Sequence, residues 1–192
     1  MATDPLPRCP WVGSDPLMTA YHDEDWGVSV HDDIELFERL ALESFQAGLS
    51  WSTILRKREA FGAAFDGFDP RVVAAYDEAD RARLMAEAGI VRNRSKIDAT
   101  IGNAAALLAT AAEFGSFDAY LSTMIPPPVL RLGSTATMGD IPATTEASDR
   151  LSADLKRRGF RFVGPTIVYA FMQSVGLVDD HLPECYRHQG CG

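Results

Sequence analysis

The chain is punctuated from end to end as a succession of helices, and nowhere does it alternate as a strand must. In "DDIELFERLALESFQAG" apolar residues recur at three- and four-residue intervals between aspartate caps and a stop at Gly48. Ser50 is placed to cap "WSTILRKREAFGAAF", and Asp69 before Pro70 has the cap-then-first-turn arrangement that begins "DPRVVAAY". "EADRARLMAEAG" stops at Gly89, the alanine-rich "SKIDATIGNAAALLATAAEFG" closes near Gly115, and "SFDAYLSTM" is short. An irregular stretch, Ile125 to Ala147, carries "PPP", two glycines and many threonines. Beyond it, "TEASDRLSADLKRRG" ends at Gly159, and "PTIVYAFMQSVG" follows after a few residues. With no period-two run of useful length and no internal repeat, the expectation is an all-α fold. A length of 192 residues suits one unit spanning 1–192, built as helical lobes around a shared core.

Composition narrows the setting. With 46% hydrophobic and 23% charged residues the chain reads as globular. No apolar run approaches the roughly 20 residues of a membrane helix, and "MATDPLPRCPW" lacks the basic and apolar blocks of a signal peptide. A cytoplasmic protein with no membrane partner is expected. The net charge of −9 disfavours a polyanion as partner, yet cations gather at "RKR" (56–58), "RNRSK" (92–96) and "KRRGFR" (156–161). Each cluster has two readings: a solvated helix end, where cations offset the macrodipole, or a footprint for phosphate.

"GFRFVGPT" joins two helices through a turn flanked by Gly159 and Gly164. A glycine at the second helix start lets another backbone approach, and the first-turn amides there attract anions. With Lys156, Arg157, Arg158 and Arg161 nearby, a DNA phosphate fits. An ordinary αα-hairpin is the plain alternative.

His181 and Cys185 are spaced i, i+4, while Cys9 and His22 lie near the other terminus. Two cysteines and two histidines make a closed tetrahedral zinc set, structural because no position is left to activate water. His188 and Cys191 compete for the C-terminal pair, and His31 reads as loop surface.

Glu43 falls three residues after Leu40 and seven after Leu36, on a face that should turn inward. An acid there either reaches solvent at the face edge or needs a partner, its pKa rising without one. Trp51 follows beyond a glycine turn, and "YHDEDWGVSV" (21–30) gathers Tyr21, His22 and Trp26 in a segment too polar for a core. Together with Trp11, these rings and one acid suit a flat, cationic, nitrogen-rich ligand.

The segments "RCPWVGSDPL", "YHDEDWGV", "LESFQAGLSWSTIL", "AGIVRNRSKI", "LKRRGFRFVGPTIVYAFMQ" and "GLVDDH" together resemble the 3-methyladenine DNA glycosylase I (Tag) family, over nearly the whole chain. The resemblance implies a helix-hairpin-helix glycosylase fold in which a zinc ion held by Cys9, His22, His181 and Cys185 joins the terminal segments. It implies base recognition by Glu43, with Trp51 stacking and Trp11, Tyr21 and Trp26 completing the pocket. Leu49 becomes the wedge that fills the gap left by a flipped nucleotide, and Gly164, Pro165 and Thr166 the hairpin that grips the DNA backbone. The reaction implied is hydrolysis of the N-glycosidic bond of 3-methyladenine in alkylated double-stranded DNA, by a monomer. Thr166 stands where strand-cutting relatives keep a lysine, so an abasic site is the expected product.

Two positions depart from the pattern. Met18 replaces an aromatic found in some relatives, and Asp179 stands where the family usually has Asn and where other superfamily members keep a catalytic aspartate. The rival functional class is a non-catalytic zinc-containing DNA-binding module, against which Glu43 and its neighbouring rings argue, since phosphate binding needs neither.

Overall fold

The computed structural model describes residues 6–126 and 130–188. Its helices are α1 (Pro16–Ala20), α2 (Asp33–Gln46), α3 (Trp51–Leu55), α4 (Arg58–Ala64), α5 (Pro70–Val73), α6 (Glu78–Ala86), α7 (Arg94–Phe114), α8 (Phe117–Met124), α9 (Glu146–Arg157) and α10 (Pro165–Ser174). The caps that the sequence advertises are in place. Asp32 accepts from the amides of Ile34 and Glu35, Ser50 from Thr53, and Asp69 from Arg71 ahead of Pro70. The all-α expectation holds. Strand structure among the described residues is confined to β1 (Leu130–Arg131) and β2 (Val178–Asp179), paired in parallel with Leu130 opposite Val178.

One predicted segment divides. "WSTILRKREAFGAAF" breaks at Arg56–Lys57 into α3 and α4. The cations of the break all have partners within the chain: Arg56 pairs with Asp15, the Lys57 ammonium donates to the carbonyls of Ala88 and Gly89, and Arg58 pairs with Glu38 and Asp25. Lys57 and Arg58 are thus committed to internal partners, while Arg56, 58% exposed, pairs with Asp15 at the surface.

The main core lies where α2 crosses α10 and α7, and α10 packs on α9. Leu36, Leu40, Phe45, Phe61, Phe65, Phe117, Leu151 and Phe171 are wholly buried in it. A second, smaller cluster contains Cys9, Val12, Tyr21, Trp26, Leu55, Leu182 and Cys185. It joins both ends of the chain, where aliphatic side chains are few. Pocket and metal-ligand residues both sit in this second cluster, at its border with the main core.

Candidate active site and metal centre

Tyr21–Asp25 forms one turn of π-helix continuing α1, closed by the Trp26 amide donating to the Tyr21 carbonyl at 2.8 Å. Such turns carry one residue more per turn than an α-helix and occur mainly at functional sites. Successive residues of the turn point in different directions, so Tyr21 enters a pocket while the neighbouring His22 enters the metal-ligand cluster. Trp26 leaves the turn in extended conformation and packs between the two, its ring 6.2 Å from His22 and 4.6 Å from His181. The polar, aromatic composition of "YHDEDW" thus serves two sites at once.

The pocket encloses about 350 Å³ and is lined by Trp11, Met18, Tyr21, Trp26, Glu43, Gln46, Trp51, Met138, Ile141, Ala170 and Gln173. The Glu43 carboxyl is 4% exposed, which excludes a solvent-reaching face edge, and its Oε2 has no hydrogen-bond partner. Burial pushes its pKa up to about 8, opposed by the positive charge of Arg39 one turn earlier on α2. The Trp51 indole N–H is likewise buried without an acceptor. Rings of Tyr21 and Trp51 lie 5.0 Å apart, and those of Trp11 and Trp26 also 5.0 Å. Burial and the Glu43 charge raise the Tyr21 phenol well above its ordinary value, so it stays protonated. The pocket therefore offers an acid and an N–H with no protein partners, among aromatic walls. That arrangement fits a planar ligand bearing N–H donors and positive charge.

All four sequence-selected pocket rings line this space, and Met18 does too. Sequence reasoning missed Gln46, Met138, Ile141, Ala170 and Gln173. Gln46 had a usable signal, standing three residues after Glu43 on the same helix. Met138 and Ile141 had none, since they come from the irregular segment folded over the pocket, which β1 anchors to the chain beyond α10. Asp179 does not line the pocket. It is 2% exposed, accepts from the His181 amide at 3.2 Å and faces Arg131 at 3.5 Å.

Cys9, His22, His181 and Cys185 converge, all buried, with one ligand atom of each within 4.8 Å of the others. His181 Nδ1 lies 3.8 Å from Cys9 Sγ and 3.6 Å from Cys185 Sγ, and His22 Nε2 lies 3.3 Å from Cys185 Sγ. Outer contacts also suit a metal ion. Asp23 holds the far nitrogen of His22 at 2.8 Å, leaving Nε2 free to ligate, and Arg8 clamps Asp23 in turn. Main-chain amides of Leu182 and Arg187 point at Cys9 Sγ and Cys185 Sγ, each at 3.5 Å. Burial first, reinforced by the neighbouring Cys185 thiol, pushes the Cys9 thiol up to about 12, and burial with the nearby His22 and Arg187 pushes the His181 imidazole down to about 4, so this pocket disfavours charge unless a cation supplies it. The donor set fits a metal ion and can hold one. Gly27 is required beside it: its φ is +75°, and a Cβ there would come within 3.0 Å of His181 Nε2.

Of the two competitors, only His188 is among the described residues, and it is not one of the converging set. His188 bonds to the His181 carbonyl through Nδ1 at 2.8 Å, and Cys191 lies outside the described residues. His31 is exposed and pairs with Asp118, as a surface loop residue would.

On the face formed by the α2–α3 and α9–α10 turns, Leu49 stands 42% exposed after Gly48, whose φ is +83°. Gly164 caps α10 without a side chain, followed by Pro165 at the first position and an exposed Thr166. The carbonyls of this turn are occupied from within, Arg161 by Asn103, Phe162 by Ser44 and Val163 by Ser152. Of the cations expected here, Arg157 and Arg158 pair with Asp154, and Arg158 also with Glu113. Among the described residues, the side chains of Lys156, Arg161 and Arg92 make no ion pair or hydrogen bond, and all three residues are exposed.

A family model described as methyladenine glycosylase matches residues 11–188. The chain belongs to the methyladenine glycosylase family. It is 48% identical over 187 residues to DNA-3-methyladenine glycosylase 1 of Escherichia coli K12, covering 96% of this chain and 98% of that protein. Its fold matches a crystal structure of 3-methyladenine DNA glycosylase I with TM-score 0.90 and 48% identity, over 94% of this chain and 99% of that one. A second solved glycosylase, from Staphylococcus aureus and described for its recognition of 3-methyladenine, matches with TM-score 0.90 at 38% identity, over 94% and 96% of the two chains. Within the described residues, this glycosylase has no helix long and apolar enough to cross a membrane.

Proposed function

We propose that this chain excises 3-methyladenine from alkylated double-stranded DNA by hydrolysing the N-glycosidic bond and leaving an abasic site. The observation that carries the reading is the Glu43 carboxyl, buried and unpartnered among Tyr21, Trp51 and the other rings. Methylation at N3 gives adenine a positive charge, so the base leaves neutral when the bond between sugar C1′ and N9 breaks and its electron pair passes to the ring. Water then adds to C1′ and releases a proton. Strong acid catalysis is unnecessary, and selection of the charged base does most of the work. The methylated nucleotide leaves the stack at a cost of a few kcal/mol, reduced because the base is damaged. Leu49 fills the gap it leaves, and Gly164, Pro165 and Thr166 of the helix-hairpin-helix hold the backbone, helped by Lys156 and Arg161. In the pocket Glu43 accepts N–H bonds from the cation, Trp51 stacks on it, and Trp11, Tyr21 and Trp26 exclude water. A neutral adenine meets the same walls without the charge and gains less from each ring, by about 0.5–2 kcal/mol per contact.

Zinc is the metal that two thiolates and two imidazoles favour, and with four protein ligands it cross-links the terminal segments rather than activating water. Thr166 has no amine to form a Schiff base, in keeping with a monofunctional enzyme. The chain works as a single glycosylase unit over 1–192, as a cytoplasmic monomer. Incubation with methylated duplex DNA and chromatography of the released bases tests the proposal. Free 3-methyladenine and alkali-labile, uncut strands are expected. DNA binding without base release by zinc-loaded protein would instead establish a binding module.

A further inference from the structure

Helix α2 does not end as most helices do. Ala47 leaves it in a non-helical conformation and the Leu49 amide closes back only on the Gln46 carbonyl, at 2.6 Å, so the carbonyls of Phe45 and Ala47 need other donors. They are found on α7. The Lys96 ammonium, on a residue only 7% exposed, donates at 2.7 Å to the Phe45 carbonyl and at 2.7 Å to the Ala47 carbonyl. Burying an ammonium is costly, and a neutral donor would satisfy one carbonyl at lower cost. What the ammonium adds is a rigid tie at both carbonyls, immediately before Gly48 and Leu49, at the negative end of the helix dipole.

The same helix carries Asn103, whose side chain takes both the amide of Arg161 at 2.8 Å and its carbonyl at 2.9 Å. Ser44, next to Glu43, bonds to the Phe162 carbonyl at 3.0 Å. Polar side chains of α7 and α2 thus hold both the Leu49 turn and the hairpin, Lys96 the first and Asn103 and Ser44 the second. We infer that Lys96 is a positioning residue for duplex engagement: anchored on α7, it fixes the Leu49 turn relative to the hairpin, so that gripping the backbone and filling the vacated stack occur in one pose. The inference rests on the wedge and hairpin roles proposed above. The basic cluster at 92–96 is accordingly split, with Lys96 internal and Arg92 free.

Variants K96M and K96Q test it, with L49A as reference. Excision is measured on methylated poly(dA)·poly(dT) and on methylated single-stranded poly(dA), where no stack needs filling. Binding of free 3-methyladenine is followed by tryptophan fluorescence, and folding by circular dichroism. Misplacing a contact by about 1 Å can cost 10²-fold, so duplex excision should fall roughly tenfold or more in K96Q, as in L49A. Single-strand excision and base binding should stay within about twofold. Equal losses on both substrates would reduce Lys96 to a stabilising cap and overturn the inference, as would unchanged duplex excision while L49A is impaired. Unchanged duplex excision by L49A would remove the wedge reading itself and the inference with it. Should K96M fail to fold, K96Q and the charge-retaining K96R decide, K96R being expected to recover most of the duplex-specific loss.

Discussion

Replacing Glu43 with Gln should make the protein more stable, increasingly so as pH rises. An ordinary glutamate ionises near 4.5, whereas burial holds the proton on Glu43 to about 8. Across that window the folded protein binds a proton that the unfolded chain has released, so this group lowers stability as pH increases. The slope is about 1.4 kcal/mol per pH unit, giving a penalty of about 3 kcal/mol at pH 7 that levels off near 5 kcal/mol above pH 8. The amide of E43Q carries no such penalty. Every other titrating group is common to both proteins and cancels in their difference. Urea denaturation of zinc-loaded protein between pH 5 and 9 reads that difference directly. E43Q should gain on the parent by about 3 kcal/mol between pH 5 and 8, or about 6–12 °C in Tm. A constant difference across this range would show that the carboxyl is ionised and solvated in the folded state, and the reasoning about the pocket would fail. The same linkage predicts the ligand's effect: a bound cation favours the carboxylate and releases a proton near neutral pH.

Other perturbations address separate parts of the account. Trp51→Ala removes a stacking platform worth about 1–3 kcal/mol per base, and fluorescence titration should show 3-methyladenine binding weakened by roughly 5- to 150-fold with the fold intact. Cys185→Ala, or exhaustive chelation, should lower the unfolding free energy by at least about 4 kcal/mol, as loss of a structural metal does, and elemental analysis of the parent should find one zinc per chain. Arg161→Ala should weaken binding to duplex DNA irrespective of sequence and reduce the slope of log affinity against log salt by about one. A slope left unchanged would exclude Arg161 from the phosphate contacts.

Much of this architecture could be read before any coordinates. Helix starts were legible because Asp32, Ser50 and Asp69 announce them through local bonds that depend on nothing distant. Glu43 was legible as inward-facing from its spacing to Leu36 and Leu40, and the four metal-ligand residues from their chemistry and terminal placement. What escaped notice depends on tertiary context. The π-helical turn at Tyr21–Asp25 has no signature in local propensity, since one extra residue per turn is stabilised by what Tyr21 and His22 pack against. Met138 and Ile141 belong to a segment without periodicity and reach the pocket only through its return over α10. Charge clusters misled most. Arg58, Lys96 and Arg158 look like surface cations, yet each is spent on internal partners. Sequence shows how many cations a segment has, not which of them have acids or carbonyls within reach.

The claim that a buried carboxylate among indoles selects a cationic base is tested most directly by comparing E43Q with the parent on methylated duplex DNA, measuring base release beside affinity for abasic DNA. Loss of a charge-assisted hydrogen bond predicts base release slowed by about 10- to 100-fold, with abasic-DNA affinity within about twofold because the hairpin and Leu49 are untouched. Release at the parental rate would contradict the account.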